Sequence, residues 1–320
     1  MAQSSSKAKP ITVGEFFERY GKALKMKLLG TERGFDRKII EPTINRPGLA
    51  LSGHFAYFAM KRLQVIGNAE QSYLSSIGEK GRLEAFRELC RHSIPSIVVS
   101  RGKRLPPALM EAADSAGVSV FQTGMITMKF VNAATIRLEW ESAPRTTEHG
   151  CMVDVRGIGI LVRGPSGCGK SEVVLGLLER GASLVADDLV EFRAIEGREI
   201  IGMSPELGRN HMEVRGLGII NVGALFGIGS IRLEKRLDLV ISLLPVADME
   251  DIERVGVEKK TYPLFTQKVP HVELPVGPGR DMAKLVEVAA LDQKLKSFGH
   301  DSAVEFNKKL LKIMRDKRIN

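Results

Sequence analysis

One eight-residue stretch constrains the fold of this chain more than any other. Residues 164–171 read G-P-S-G-C-G-K-S, which matches the nucleotide-binding P-loop pattern G-x-x-x-x-G-K-[ST] at every defined position. A short apolar run, 159–163, precedes the stretch, and a run with helical periodicity, 172–178, follows it. Because a strand, a glycine loop and a helix in this order form a phosphate-binding arrangement, we predict an α/β nucleotide-binding domain rather than an isolated glycine-rich turn.

The chemistry of this loop predicts a nucleoside triphosphate, such as ATP, as a substrate and Mg²⁺ as a cofactor. Glycines allow backbone N–H groups to surround phosphate oxygens, and the N-terminus of the following helix adds partial positive charge. Lys170 suits the β- and γ-phosphates, and Ser171 suits the metal ion. The predicted nucleotide-binding residues are Gly164, Pro165, Ser166, Gly167, Cys168, Gly169, Lys170 and Ser171.

Composition predicts a soluble, cytoplasmic protein of two domains. The chain has 320 residues, of which 43% are hydrophobic and 27% are charged. Its longest apolar run, 239–247, is about half of what a membrane span needs, so we expect no membrane partner. The polar start, 1–10, is predicted to be a disordered tail rather than a secretory signal. The three cysteines lack metal-ligand spacing and suit a reducing compartment.

The net charge of +9 is consistent with an acidic partner or a phosphate-rich ligand. The basic residues are scattered, however, except for a cluster within 308–318. Only 6% of the residues are aromatic, and no nucleic-acid-binding module is recognisable. We therefore expect no nucleic-acid partner and interpret the terminal cluster as a solvated basic helix.

Local patterns divide the chain into a first domain, 11–142, a polar linker, 143–148, and a P-loop domain, 149–320. The first domain is predicted to be a small α/β fold. It contains a capping box at 12–15, a strand-like run at 97–99 and a helix from 107 to 116 that is followed by another strand. After the P-loop we expect alternating strands and helices. A helix capped by Asp281 and a final basic helix, 303–316, should close the chain.

Two adjacent carboxylates, Asp187 and Asp188, follow the strand-like run 184–186 and lie within 18 residues of Lys170. Successive side chains of an extended segment point in opposite directions, so one carboxylate could reach the metal while the other accepts a proton. A turn followed by a helix cap is the alternative explanation of the pair.

Other candidate residues carry weaker signals on their own. Glu213 is a suitable ligand for a hard metal, but a surface pair with Arg215 would explain it nearly as well. His149 and Arg254 are isolated, and the loop 275–280 is either a phosphate- or partner-facing loop or a turn before a helix. These residues alone predict a two-domain P-loop phosphotransferase or NTPase, and they do not identify the acceptor of the phosphoryl group.

Several ordered segments of the second half carry a more specific signal than the P-loop alone. They read HG at 149–150, the P-loop at 164–171, LVADD at 184–188, SPEL at 204–207 and EVRGLGIINV at 213–222. Together they closely resemble the HPr kinase/phosphorylase family, bifunctional bacterial enzymes that act on a serine of the phosphocarrier protein HPr. The first half joins more loosely through RPGL at 46–49 and PRTT at 144–147. The resemblance thus extends over nearly the whole chain.

The resemblance implies catalytic roles for four residues. Asp188 would be the general base that takes the proton from the target serine. In the reverse reaction, where inorganic phosphate attacks phosphoserine and releases pyrophosphate, Asp188 would be the general acid. His149 would tune the protonation of Asp188, and Lys170 would bind the β- and γ-phosphates. Arg254 would stabilise charge on the phosphoryl group in transfer.

The resemblance also implies the metal site, the fold and the assembly. Ser171 and Glu213 would hold Mg²⁺, and the residues that would support the site are Asp187, Arg215, Gly216, Gly218, Asn221, Gly277 and Arg280. The implied fold is a small N-terminal α/β domain followed by a P-loop kinase domain related to phosphoenolpyruvate carboxykinases. The implied partners are HPr and further copies of the chain, in a hexamer.

One position departs from the family pattern. The family loop usually reads Pro-Val-Arg-Pro-Gly-Arg, and here the first arginine is replaced by Gly277. That loop is linked in the family to dephosphorylation, and glycine cannot replace a bidentate guanidinium. We therefore expect weakened phosphorolysis and intact kinase activity. The region 244–252 also differs, which leaves the surroundings of Arg254 less defined.

Two other functions are compatible with a P-loop. A small-molecule kinase would transfer phosphate to a metabolite and would need no protein acceptor. A nucleotide-gated regulatory module would bind ATP to change its assembly or partner affinity, and it would need no general base. The Asp187–Asp188 pair and the segment around Glu213 favour catalysis over both.

Overall fold

The computed structural model describes residues 10–195, 199–245, 259–277 and 279–319, and their contacts divide the chain at Pro144 into two compact units. Of the predicted tail, 1–10, all but Pro10 lies outside the described residues. Each unit has its own sheets and its own core, so each is described by itself.

The N-terminal unit is built on a five-stranded sheet of order β2-β7-β6-β5-β4, in which β4 to β7 are parallel and β2 is antiparallel to β7. Its strands are β1 (Ile11–Thr12), β2 (Met26–Leu28), β3 (Lys38–Ile39), β4 (Ile44–Asn45), β5 (Leu63–Ile66), β6 (Ser96–Val99) and β7 (Ser119–Thr123). Its helices are α1 (Val13–Tyr20), α2 (Gly48–Leu51), α3 (Asn68–Ser76), α4 (Gly78–Arg91), α5 (Pro107–Ser115) and α6 (Thr127–Ser142).

Helices cover both faces of this sheet, which explains why its central strands are apolar at nearly every position. In β6, Ile97 and Val99 face the core beneath α4 and α5, whereas Val98 faces α1 and α6. The predicted capping box is confirmed, because Glu15 N donates to Thr12 Oγ1 at 3.2 Å and Thr12 N donates to Glu15 Oε2 at 2.9 Å. The predicted α/β character of the first half is thus confirmed.

The C-terminal unit contains most of the strands. They are β8 (Arg145–His149), β9 (Cys151–Val155), β10 (Ile158–Arg163), β11 (Ser183–Ala186), β12 (Leu189–Ile195), β13 (Glu199–Met203), β14 (His211–Val214), β15 (Gly218–Asn221), β16 (Glu234–Arg236), β17 (Leu239–Pro245), β18 (Thr261–Leu264) and β19 (Gln267–Val276). The helices are α7 (Lys170–Glu179), α8 (Val222–Phe226), α9 (Met282–Ser297) and α10 (Ser302–Ile319).

Two sheets and two helices form three layers in this unit. The six-stranded sheet has the order β11-β9-β10-β17-β19-β18, and the antiparallel four-stranded sheet has the order β16-β13-β12-β8. One face of the six-stranded sheet packs on α7 and α9 through residues such as Val162 and Leu177. Its other face packs on the four-stranded sheet, where Leu161 and Phe192 share a core. Strands β14 and β15 form a separate hairpin.

The expected alternation of strands and helices after the P-loop is wrong. From β11 to β19 most regular elements of the described chain are strands, and α8 is the one α-helix described there. The physical reason is the antiparallel four-stranded sheet, which buries a single face. Strand β12 accordingly alternates between buried and partly exposed residues, as expected for a half-buried antiparallel strand.

The predicted linker, 143–148, is also corrected, because most of it forms β8 at the edge of the four-stranded sheet. An edge strand with one exposed face is rich in polar residues, which is why the composition resembled that of a linker.

The predicted C-terminal helices are present as α9, capped by Asp281, and α10. None of the described helices combines the length and the hydropathy needed to cross a membrane.

Candidate active site

The predicted P-loop lies between β10 and α7 as expected. Gly167 and Gly169 have φ values of 80° and 89°, a region that favours glycine, and Gly169 directly precedes the helix. The Lys170 ammonium donates to the carbonyl oxygens of Gly164 at 3.1 Å and Pro165 at 3.0 Å. Ser171 lies in the first turn of α7. The loop therefore offers a lysine and a helix N-terminus at one place, which is the arrangement that binds phosphate.

Beside the P-loop, two segments of the chain cross between the two large sheets. Residues 149–151 lead from β8 to β9, and residues 187–189 lead from β11 to β12. The crossings are joined by the bond from Gly150 N to the Asp188 carbonyl oxygen at 2.9 Å, and His149 pairs with Leu189. This arrangement brings His149 and Asp188 together, although they lie 39 positions apart in the sequence.

Gly150 is needed at this crossing because there is no room for a side chain. A Cβ at this position would lie 2.6 Å from the Val162 carbonyl oxygen, near the end of the strand that leads into the P-loop. Its φ of 151° also disfavours other residues. The close approach places the crossing directly against β10.

Asp188 occupies a tight three-residue turn rather than the extended chain that we expected. Its φ is 61°, and Leu189 N donates across it to the Asp187 carbonyl oxygen at 2.7 Å. Such γ-turns with positive φ are rare and strained, and strained backbone clusters at functional sites. The side chain is exposed, and no described residue donates a hydrogen bond to its carboxylate. The Asp188 carboxylate is therefore available to an incoming group.

Both carboxylate oxygens of Asp187 are bound by the protein itself. Cys151 Sγ donates to Oδ1 at 2.9 Å, and the backbone N–H of Glu213 donates to Oδ2 at 2.9 Å. Burial, followed by the Asp187 charge, raises the pKa of the Cys151 thiol above its ordinary value, while the nearby Lys170 ammonium opposes this shift. Asp187 thus links strands rather than presenting a second unoccupied carboxylate.

The hairpin of β14 and β15 carries several of the sequence-predicted residues. Glu213 is exposed on β14, and the Arg215 guanidinium lies over the P-loop, 3.7 Å from where a Cβ of Gly167 would be. Gly216 and Gly218, with φ values of 88° and 85°, form the turn. The hairpin therefore brings the Arg215 guanidinium to the P-loop, and Glu213 lies two residues before it on β14.

Three further predicted residues lie around this arrangement. The side chain of Asn221 caps α8, because its Oδ1 accepts from Ala224 N at 3.0 Å. Gly277 follows β19, and Arg280 donates from Nη1 to the Pro275 carbonyl oxygen at 3.4 Å. Arg254 lies outside the described residues, so its role stays a prediction.

Sequence reasoning missed a charged cluster behind the P-loop. Arg163, the last residue of β10, pairs with the buried Glu148 at 3.2 Å, and its guanidinium lies 4.5 Å from the centre of the Tyr262 ring. The Tyr262 hydroxyl also donates to Glu148 at 3.0 Å. The sequence signal was an arginine at the end of an otherwise apolar strand, directly before Gly164.

No cluster of three or more His, Cys, Asp or Glu residues capable of holding a metal ion exists within the described residues. Mg²⁺ that accompanies a nucleotide, however, needs only one or two protein oxygens, since phosphates and water supply the other ligands. The Ser171 hydroxyl and the exposed Glu213 carboxylate are oxygen donors of this type, so the residues present fit a nucleotide-bound Mg²⁺.

Comparisons with known proteins cover both units. The model of the HPr serine kinase C-terminal domain matches residues 141–310, and that of the HPr serine kinase N terminus matches residues 11–138. The HPr kinase/phosphorylase of Chloroherpeton thalassium is 41% identical over 306 residues, which cover 95% of this chain and 90% of that protein. That of Bacillus licheniformis is 39% identical over 292 residues, covering 91% and 94%. These matches confirm the resemblance read from the sequence.

A solved structure, the HPr(Ser) kinase/phosphatase from Coxiella burnetii, also matches in part. It is 30% identical, with a TM-score of 0.46, and the match covers 50% of this chain and 98% of that one.

We expect Gly150→Ala to destabilise the C-terminal unit, because the added Cβ would lie 2.6 Å from the Val162 carbonyl oxygen. Strained φ and overpacking together cost about 2 to 4 kcal/mol. Calorimetric unfolding measures the loss. The control is Gly229→Ala in the same unit, where an added Cβ meets no atom within 4 Å. Equal melting temperatures of the two variants would contradict the argument.

Proposed function

The chain belongs to the HPr serine kinase family, and from this membership we propose that it transfers the γ-phosphoryl group of ATP to a serine of HPr in the cytoplasm. We further propose that it catalyses the reverse release of phosphate from phosphoserine as pyrophosphate, at reduced efficiency. The P-loop domain carries both reactions.

One observation above all supports this proposal. The paired crossings place Asp188, exposed and without a protein hydrogen-bond donor among the described residues, beside the strand that leads into the P-loop. A phosphotransferase needs a proton acceptor next to its phosphate-binding loop, whereas a nucleotide-gated switch does not. The position of this carboxylate therefore favours catalysis over regulation by binding alone.

In the forward direction, Asp188 accepts the proton of the serine hydroxyl as its oxygen attacks the γ-phosphorus. The bond between that phosphorus and the oxygen it shares with the β-phosphate breaks, and ADP leaves. Lys170, which donates to loop carbonyls here, donates to phosphate oxygens when ATP is bound. His149, paired across from Leu189, lies beside the turn that carries Asp188 and assists it. Arg254 offsets the charge on the phosphoryl group.

Mg²⁺ would be held by Ser171 and Glu213 and would neutralise phosphate charge when bound. The chain itself supplies the positions of these groups, since Ser171 is set by the first turn of α7 and Glu213 by the hairpin. The Arg215 guanidinium over Gly167 adds a positive group on the same side. These residues bind and orient the phosphates while Asp188 moves the proton.

In the reverse direction, an oxygen of inorganic phosphate attacks the phosphorus of phosphoserine. The bond to the serine oxygen breaks, and that oxygen takes the proton that Asp188 holds, which leaves pyrophosphate as the product. The loop that contains Gly277 and Arg280 assists this direction. Because Gly277 lacks a guanidinium, the reverse reaction has one fewer phosphate ligand than in a family member with arginine at this position.

The family resemblance and an exposed apolar stripe support a homo-oligomer, which we propose to be a hexamer. On α10, Phe306, Leu310 and Ile313 are 60%, 43% and 54% exposed and share one face of the helix. An apolar stripe of this kind is typical of a surface that another chain covers.

The role of Asp188 as general base can be tested by substitution. Asp188→Asn removes the proton acceptor but keeps the size of the side chain, so phosphate transfer to HPr should fall by about a hundredfold to ten-thousandfold. Intact-mass analysis of HPr from the same organism, after incubation with ATP and Mg²⁺, measures the transfer. Asp36→Asn, an exposed aspartate of the N-terminal unit, is the matched control and should leave the rate unchanged.

The outcomes of this experiment separate the three functions. One added phosphate on HPr that is lost in Asp188→Asn supports a serine-protein kinase. Consumption of ATP with a metabolite but without any mass gain on HPr would point to a small-molecule kinase. Nucleotide binding without transfer, unchanged in Asp188→Asn, would point to a regulatory module.

Gly277 is predicted to limit the reverse reaction. We expect Gly277→Arg to raise the release of pyrophosphate from phosphorylated HPr by about tenfold, the effect of one charge-assisted hydrogen bond of about 1.5 kcal/mol, while the kinase rate stays the same. Gly124→Arg, at an exposed glycine of the N-terminal unit with no atom within 4 Å of an added Cβ, is the control. No gain in Gly277→Arg over this control would refute the role of the loop.

The proposed hexamer can be tested by the mass of the protein in solution. Light scattering coupled to size-exclusion chromatography should give six times the mass of 35.2 kDa for one chain. Phe306→Glu, which places a charge on the apolar stripe of α10, should shift the protein toward smaller species. A monomer for the unmodified protein would disprove the proposed oligomer.

A further inference from the structure

The thiol of Cys151 makes a polar contact that a residue serving only to fill the core would not make. Cys151 is the first residue of β9, is 1% exposed and packs in the core beneath α7. Its Sγ nevertheless lies 2.9 Å from Asp187 Oδ1. Because the Asp187 carboxylate offers only acceptor atoms when ionised, the thiol is the donor of this hydrogen bond.

The second oxygen of Asp187 continues this connection into the site. Asp187 Oδ2 accepts from the backbone N–H of Glu213 at 2.9 Å. With one oxygen held by β9 and the other by β14, the carboxylate has a single orientation that satisfies both donors. The thiol of Cys151 thus orients the group that holds the backbone of Glu213.

The contact with Asp187 adds to the core packing of β14, the strand that carries Glu213. Met212 and Val214 anchor β14 in the core, whereas Glu213 is exposed between them. Core packing fixes the strand, but the peptide N–H of Glu213 is bound by the Asp187 side chain. A change in the orientation of Asp187 is therefore transmitted to the peptide that carries the Glu213 carboxylate.

We propose that Cys151 is a positioning residue, which acts through Asp187 to hold Glu213 where it can take part in binding Mg²⁺ and nucleotide. This inference rests on the proposed role of Glu213 as a metal ligand. Groups that orient metal ligands without touching the metal commonly change metal affinity by about 10- to 100-fold when they are removed. A thiol is a weak donor, so we expect an effect at or just below the lower limit of this range.

The test measures nucleotide binding instead of phosphate transfer. The Mg²⁺ concentration that gives half-maximal binding of fluorescent ADP is determined for the unmodified protein, Cys151→Ala and Cys151→Ser. We expect Cys151→Ala to raise this concentration by about threefold to tenfold. Cys151→Ser keeps a donor at the same position and should restore it to within about twofold of the unmodified protein.

The matched control is Cys90→Ala, which makes the same change at a buried thiol of the N-terminal unit. It should leave the Mg²⁺ dependence unchanged. If Cys151→Ala folds poorly, Cys151→Val, which fills the site but has no donor, takes its place and should show the same shift. Asp187→Asn should also shift the midpoint, and its effect should not add to that of Cys151→Ala, since both act on one contact.

Two results would overturn the proposal. A lower melting temperature of Cys151→Ala with an unchanged Mg²⁺ midpoint would show that Cys151 only packs the core. A Cys151→Ser variant as impaired as Cys151→Ala would show that the donor is not what matters. Because HPr is absent from this assay, a failure of the positioning role is distinguishable from a failure to phosphorylate HPr.

Discussion

The hydrogen bond from Gly150 N to the Asp188 carbonyl oxygen joins two segments that cross between the same two sheets. Both crossings interrupt regular strand pairing, so each would leave backbone groups unpaired without the other. Joined, they bring together His149, from before the P-loop, and Asp188, from after it. The close contact of Gly150 with the Val162 carbonyl oxygen then sets this pair against the strand that leads into the P-loop.

The sequence predicted those parts of the site and fold that depend on neighbouring residues. The P-loop, α7 and the capping box at Thr12 were recognisable because their signals lie within a few positions of one another. The four-stranded sheet was not predicted, since the residues that pair between β8 and β12 lie at least 40 positions apart in the sequence. An edge strand whose polar side faces solvent has the same composition as a linker, which is why 143–148 was misread.

The two adjacent aspartates show where local reasoning fails in a different way. The pair at the end of a strand was expected to lie on an extended chain, with one side chain on each side. The positive φ of Asp188 turns the chain instead, and the Asp188 carbonyl oxygen accepts from Gly150 N, a contact between distant segments that no local pattern reveals. Nearby donors then distinguish the two carboxylates, because Cys151 and Glu213 bind Asp187 and leave Asp188 exposed.

The charged cluster of Glu148, Arg163 and Tyr262 lies next to the same crossings, because it joins the strand that ends at His149 to the strand before the P-loop. Glu148, whose side chain is 3% exposed, lies directly before His149, and its partner Arg163 lies directly before Gly164. A buried ion pair loses hydration that its mutual attraction only partly restores, so it favours specificity of arrangement more than stability. The Tyr262 hydroxyl and ring add a hydrogen bond and a cation–π contact that compensate for this loss. The cluster therefore fixes the edge strand β8 to the strand before the P-loop, which is the relation that His149 and Asp188 require.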